Sequence, residues 1–502
     1  MAEALVGSIG PLNPLFAQED NSRDIGRLIY QGLTAIDASQ EVVPALAAGW
    51  KVSDDHLSYT VDVRPDVRWA DGRALTAEDV LFTFRVLQDP EYKEPGASYW
   101  RQIKVEGSGP NQVRFTLKAP SAPFLASLAV GIIPRHVFGG LAPSQIAASP
   151  KSSAQAFGTG PFQVESISRD GKVVTLARNP YASPAPLLDH FIFRAYPSPS
   201  EALGALLDGQ VDGAGGLLPP QLAALARRPD IQLQEMRTYG YTALIFNLGA
   251  EGGFFASASV RQALVQAVDR RQLIDDVLMR RADSAPGPIP PTDWAYEPGL
   301  GQRYPYDPKA AEKALEAAGW MLGSDGRRTK GQTAFSVSLT VADAYPYRQE
   351  AEILSRQLRE VGVEVKVDPV PASILVGRYL VGRRYQMVLA AFDNGPDPDP
   401  YALWHSGAEK DAINFAGLPR QGLIDKDLED GRAALDRKTR REAYSDFQEL
   451  ILDAAPAVFL YEPHYLYAVT KRVRGVRMDA VAEPGDRYAY VTAWYVQTRA
   501  AS

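Results

Sequence analysis

VVPALAAGWKVSDDHLSYTVDVRPDVRWADGRALTAEDVLFTF, residues 42–84, carries the clearest local order in the chain. Its middle, HLSYTVDVR (56–64), alternates apolar and polar side chains, the period-two pattern of a β-strand with one buried face. Asp71-Gly72 is a turn pair. Thr76 then stands as a helix N-cap with Asp79 three residues on, so the spacing predicts a helix from about Ala77 to Gln88. Trp50 and Trp69 read as core residues of the same stretch.

Outward from this block the chain keeps mixing strands and helices. Before it come a short strand near residue 5, a loop (NPLFAQEDNSRD) and the stretch IGRLIYQGLTAID. After it, QVRFTLKAP reads as a strand. FGTGPFQVESI (157–167) sets two glycines and a proline before another, a strong turn signal and a natural crossover between domains. From about residue 240 helices dominate. ASVRQALVQAVDRRQLIDDVLM is an amphipathic helix pair with Asp269 near its middle, and KAAEKALEAAGW is a helix stopped by Gly319. RQEAEILSRQLREVGVEVKVDPV is helix, Gly362, then strand, and YQMVLAAFD is a buried strand. The tail, AVFLYEP, YLYAVT and YAYVTAWYV, returns to strand texture. The basic stretch KRVRGVR (471–477) puts Lys471 and Val473 on one face and Arg472, Arg474 and Val476 on the other, as in a solvated edge strand.

At 502 residues the chain is too long for one core, and roughly 150 residues per domain gives about three domains. A net charge of -7 argues against a nucleic-acid binder. With no cysteine there is no disulfide, thiolate metal site or cysteine nucleophile. No run of 18 apolar residues marks a transmembrane helix. MAEALVGSIGPLNPLF lacks the basic and apolar regions of a signal peptide, so either the protein is cytoplasmic or its sequence begins after a removed leader.

Enzyme motifs are missing. There is no G-x-S-x-G, H-E-x-x-H, phosphate loop or G-x-G-x-x-G. His56, His136, His190, His405 and His464 share no metal-ligand spacing. A carboxylate pair for glycoside hydrolysis meets only in space, so that reading stays open as a minor one.

The residues quoted above resemble the extracellular solute-binding proteins of ABC importers, family 5, the peptide, oligopeptide and nickel-binding group. LNPLF, IYQGL and the whole 42–84 block come in the expected order. GTGPF, LARNPY, LDGQVDG, FN before SVRQALVQAVDR, AEKALEAAGW and VGVEV follow. The resemblance implies an α/β fold of the periplasmic-binding-protein type, two-lobed, of class II, with a hinge and an extra inserted domain. Lobe I would combine 1–39, 161–240 and 465–502. Residues 40–160 would form the inserted domain II, and 241–464 lobe III. The chain would cross between lobes near Tyr239–Phe246 and Glu462–Tyr467, with ligand in the cleft. The implied function is capture of a peptide-like solute and delivery to ABC permease subunits, without catalysis. Alternatives are a nickel chelate, opine or sugar-like ligand, presentation to a sensor receptor, or a cleft hydrolase. The mature form would be monomeric, secreted or lipid-anchored, and periplasmic or extracellular. No cofactor, metal or nucleic-acid partner is expected.

The same resemblance points to AAFDNGPDPDPYALWHS (390–406), similar to the loop where peptide-binding members hold the ligand's α-amino group. Asp393 is the matching aspartate. A charge-assisted bond from a ligand ammonium is about twice as strong as a neutral one. Read from the residues alone, Asp393 caps an Asn394-Gly395 turn, and Asp397 and Asp399, beside prolines, are turn chemistry. Dipeptide-binding members carry an arginine for the ligand carboxylate just before the helix that leads to this loop. Here ADAYPYRQEAE (342–352) offers only Arg348, out of alignment. Longer peptides, or a non-peptide ligand with a cationic or polar head, therefore remain open. Further expected ligand contacts are Gln18, Glu19 and Asp20 after the first strand, Tyr99 and Trp100 from the inserted domain, Tyr239 and Tyr241 at the crossing, and Trp404 as an apolar wall.

Overall fold

The computed structural model describes residues 1–301, 303–395, 397–408, 413–478 and 483–497. The chain divides into two compact units, Met1–Met236 with Tyr465–Ser502, and Arg237–His464. It passes from one to the other at 236/237 and at 464/465.

In the first unit the alternating block folds as its pattern requires. Ser58–Val63 is a strand whose Tyr59, Val61 and Val63 are buried while their neighbours are only partly so. It sits inside an antiparallel four-stranded sheet with Ala47–Val52, Gln112–Thr116 and Lys104–Gly109. The helix Ala77–Gln88 covers this sheet, and Phe84 meets Phe115 and Trp100 edge-on at 4.9 and 5.0 Å. Its first turn is fixed by Asp79, whose carboxylate accepts the Thr76 N–H at 2.9 Å and the Thr76 hydroxyl at 3.1 Å. A second sheet in this unit runs Gly213–Gly215, Ala2–Val6, His190–Tyr196, Val173–Arg178, Phe162–Ile167. Ala2–Val6 is parallel to both its neighbours. The end of the strand Ala457–Thr470 completes this sheet, with Val469 opposite Gly213.

The second unit is built on Glu364–Val370, Ser336–Ala342, Met387–Asp393, Gly240–Phe246 and the first half of Ala457–Thr470. Ser336–Ala342 is parallel to Glu364–Val370 and to Met387–Asp393, and the helix Tyr347–Glu360 makes the crossover between the first two. The predicted helix pair is Ala258–Gln266 and Arg270–Asp276. Asp269 caps the second helix, accepting the N–H groups of Arg271 and Gln272 at 3.0 and 3.2 Å. Gly319, at φ +87°, follows the helix Pro308–Ala317 as expected.

Two expectations about the tail need correction. AVFLYEP and YLYAVT are one strand of 14 residues that runs through Pro463. YAYVTAWYV is mostly not a strand. Pro484–Tyr488 and Val491–Ala493 are tight 3₁₀ turns, and only Tyr495–Val496 is extended, paired with Val473–Arg474 of the basic stretch. The physical reason is the spacing of the apolar side chains that the core takes up. Tyr488, Val491 and Trp494 recur every three residues and are 4%, 3% and 0% exposed, which is the period of a 3₁₀ helix.

Candidate functional site

The acidic loop begins where Met387–Asp393 ends. Asp393 lies opposite Gly240 on the neighbouring strand, and its side chain is exposed. A side chain at Gly240 would press on the carbonyl of Phe392, so glycine allows this close approach. Asp393 Oδ1 accepts the Gly395 N–H at 2.7 Å, and Gly395 sits at φ +73°, so the turn reading of Asn394-Gly395 describes the local backbone. The Asn394 amide anchors the turn by donating to Pro288 O at 2.9 Å. Pro396 lies outside the described residues.

Asp397 and Asp399 do more than shape turns. Arg440 donates two bonds to Asp397, at 2.9 and 2.5 Å. Arg432 holds Asp399 through Nε at 2.7 Å and Nη2 at 2.6 Å. These arginines come from the helices Gln421–Ala433 and Arg437–Ala454, so both helices grip the loop. Burial raises the Asp397 carboxyl while Arg440 opposes that shift. The Arg432 guanidinium also lies 3.8 Å from the centre of the Tyr401 ring, which stacks on His405 at 4.0 Å. Trp294 packs beside the same helices, 5.0 and 5.1 Å from the guanidiniums of Arg437 and Arg440. The result is a clamped platform in which Asp393 is the exposed carboxylate of the three.

The other expected contacts fall into two groups. In the second unit, Tyr241 is 1% exposed and packs on Phe392 and Phe459 at 5.8 and 5.3 Å. Trp404, fully buried, packs on Phe415 at 5.4 Å, so it supports the loop from within the core rather than forming an exposed wall. Tyr239 is buried in the bend just before the strand Gly240–Phe246, whose Gly240 lies opposite Asp393. In the first unit, Glu19 is the N-cap residue of the helix Asp20–Ile29 and its carboxylate accepts Ser22 Oγ at 3.3 Å. Asp20 is exposed and paired with Arg23, and Gln18 donates to Glu94. Trp100 is a core residue under Phe84, with Tyr99 half-buried against it at 5.1 Å. Arg348 is engaged by Asp343 at 2.8 Å.

Two buried acids lie outside anything expected from the sequence. Glu462 is 2% exposed and stands opposite Asp283. Burial, then Asp283, push its carboxyl up to about 8 against the pull of Arg237. Asp283 itself binds Arg237 Nε at 3.0 Å and His464 Nε2 at 3.2 Å, so one carboxylate ties together the first and last residues of this unit. Glu350 is fully buried next to Tyr461 and is pushed up to about 7 by burial. No sequence signal marks either acid. Arg432 and Arg440 did leave one, as helical arginines eight residues apart downstream of two closely spaced aspartates. Among the described residues, no group of three or more His, Cys, Asp or Glu side chains could hold a metal ion.

Residues 41–414 match the family of bacterial extracellular solute-binding proteins, family 5. The chain belongs to that family. It is 27% identical over 485 residues to the oligopeptide-binding protein AppA of Bacillus subtilis (strain 168), spanning 95% of this chain and 89% of the relative. Protein XP55 of Streptomyces lividans is 31% identical over 473 residues, 93% of this chain and 84% of its own. Among solved structures, NikZ from Campylobacter jejuni in complex with Ni(L-His) superposes with a TM-score of 0.82 at 25% identity, covering 98% of this chain and 99% of that one. The fold of this family 5 protein is therefore α/β, of the periplasmic-binding-protein type. Its family is one of solute-binding proteins rather than enzymes.

Proposed function

We propose that this family 5 protein captures a peptide-like solute outside the cytoplasmic membrane and delivers it to the permease of an ABC importer, working as a monomer. One observation carries the reading. In a loop with three carboxylates, two are clamped by arginines from helices, and the third, Asp393, is held exposed at the end of a strand. A fixed carboxylate of this kind suits a ligand ammonium, because its geometry is set before binding. The name of the Bacillus relative, an oligopeptide binder, supports the peptide class. The pairing of Arg348 with Asp343 fits a ligand whose carboxylate is not held by that arginine, as for peptides of more than two residues.

A second reading, a metal chelate, is favoured by the likeness to NikZ with its bound Ni(L-His). An amino-acid chelate also presents polar groups that an exposed aspartate can bind.

Native mass spectrometry of the purified protein, with small molecules identified after denaturation, separates the two. A heterogeneous set of short peptides supports the first reading. A single chelate or other non-peptide compound replaces it with the second.

A further inference from the structure

A cavity in the first unit lies within the 73–143 stretch and has no part in the Asp393 platform. Its volume is about 620 Å³, within the roughly 300–1,000 Å³ of small-molecule sites. Its walls come from the start and the face of the helix Ala77–Gln88, from Arg135-His136 and from Gly139–Pro143. Three arginines line it, Arg73, Arg85 and Arg135. Arg85 and Arg135 both approach Glu78 Oε2, at 3.8 and 3.9 Å, and Arg73 approaches Asp71 Oδ2 at 3.8 Å. These distances are too long for hydrogen bonds. Among the described residues none of the three guanidiniums makes a hydrogen bond at all.

The acids lining the cavity are largely spoken for. Asp79 is buried, accepting the N–H and hydroxyl of Thr76 and, at 2.9 Å, the N–H of Arg135. Asp89 accepts the Glu91 N–H at 2.8 Å. Beside the cavity, Asp71 bonds His136 Nε2 at 2.8 Å. Glu78 is the exposed carboxylate of the lining, facing two arginines that have donors to spare. A planar guanidinium fork matches the oxygens of a phosphate group, and two or three such forks around one cavity match a multiply charged oxyanion.

We propose that this cavity binds a phosphate group, carried by a lipid headgroup or by a soluble anion, with Arg85 and Arg135 as its principal ligands, Arg73 as a third, and Glu78 as the internal competitor that the anion displaces. The site is separate from solute capture and does not depend on it.

The test is calorimetric titration of inorganic phosphate into the full-length chain, with flotation on vesicles of phosphatidylglycerol or phosphatidylcholine. Saturable phosphate binding in the millimolar range is expected, about tenfold or more weaker in R85Q/R135Q, which removes both principal charge-assisted donors. Glu78→Gln is expected to tighten binding several-fold, and Asp393→Ala to leave it unchanged. All these side chains are exposed, so the variants fold. Retention on phosphatidylglycerol that phosphate competes away assigns the site to a headgroup, and phosphate binding without retention assigns it to a soluble anion. Absence of both overturns the proposal. So does undiminished binding in R85Q/R135Q, failure of Glu78→Gln to tighten it, or its loss in Asp393→Ala.

Discussion

Two acidic clusters, one in each unit, use the same residue types to opposite ends. In the first unit Glu3 and Asp24 surround Arg487, all nearly or fully buried. Glu3 Oε1 accepts Arg487 Nη2 at 2.9 Å and the Tyr488 hydroxyl at 2.6 Å, and Oε2 accepts the Tyr467 hydroxyl at 2.8 Å. Asp24 takes Arg487 Nη1 at 2.5 Å. Every charged group there has a hydrogen-bonded partner, the one guanidinium serving both carboxylates, and the cluster joins the N-terminal strand to the C-terminal turns. In the second unit the 393–399 loop matches two of its carboxylates with arginines and leaves the third exposed. Burial of the carboxylates among their partners builds structure, whereas an exposed carboxylate on a clamped loop can still meet a ligand.

The largest effect should come from breaking the complete cluster. Arg487→Ala strands two buried carboxylates, and removing one partner of a buried pair costs roughly 3–5 kcal/mol. Chemical unfolding of the variant should show the first unit destabilised by that order. A loss under about 1 kcal/mol would mean the cluster is better hydrated than its burial indicates. Asp397→Ala is the parallel change in the loop. It leaves Arg440, whose side chain is 7% exposed, without its carboxylate. A loss of about 2–4 kcal/mol is expected, together with weaker solute binding because the platform loosens. Unchanged thermal unfolding would show that the helix-to-loop clamp is dispensable.

Asp393→Ala sharpens the contrast from the other side. Unliganded stability should stay within about 0.5 kcal/mol, as for a surface change. Affinity for an amine-bearing peptide should fall roughly 10- to 100-fold, the worth of one charge-assisted bond. The same peptide with an acetylated N-terminus should bind parent and variant alike. If the acetylated peptide binds the parent as tightly as the free amine, Asp393 is a turn cap and nothing more.

How much of this was legible depends on how local each signal is. Asp79 and Asp269 act within a few residues of themselves, so the helices they begin could be read directly. The alternation of 58–63 likewise announced one buried face. The 3₁₀ turns at 484–488 and 491–493 were hidden because Tyr488, Val491 and Trp494 look like strand residues until the core that receives them, with Phe191 and Phe193, is known. The acidic loop could be found, but its division of labour could not, since the arginines that clamp it lie 33 and 43 residues away. Trp404 and Tyr241 looked like ligand-facing aromatics for the same reason: only the packed structure assigns them to the core.

Glu462 extends the comparison to an acid that is buried without the complete pairing of Glu3. Burial, helped by Asp283, raises its carboxyl to about 8 in the folded chain, whereas an ordinary glutamate titrates near 4.3. Between those values the folded chain holds a proton that the unfolded chain has released. The stabilisation is complete below about pH 4.3 and is lost as pH rises toward 8. Glu462→Gln keeps the neutral shape and cannot ionise. Unfolding free energies of parent and variant should therefore converge at acid pH and separate as pH rises, the parent falling by at most about 1.4 kcal/mol per pH unit relative to the variant. Parallel curves from pH 5 to 8 would mean that Glu462 titrates normally, with Arg237 outweighing its burial.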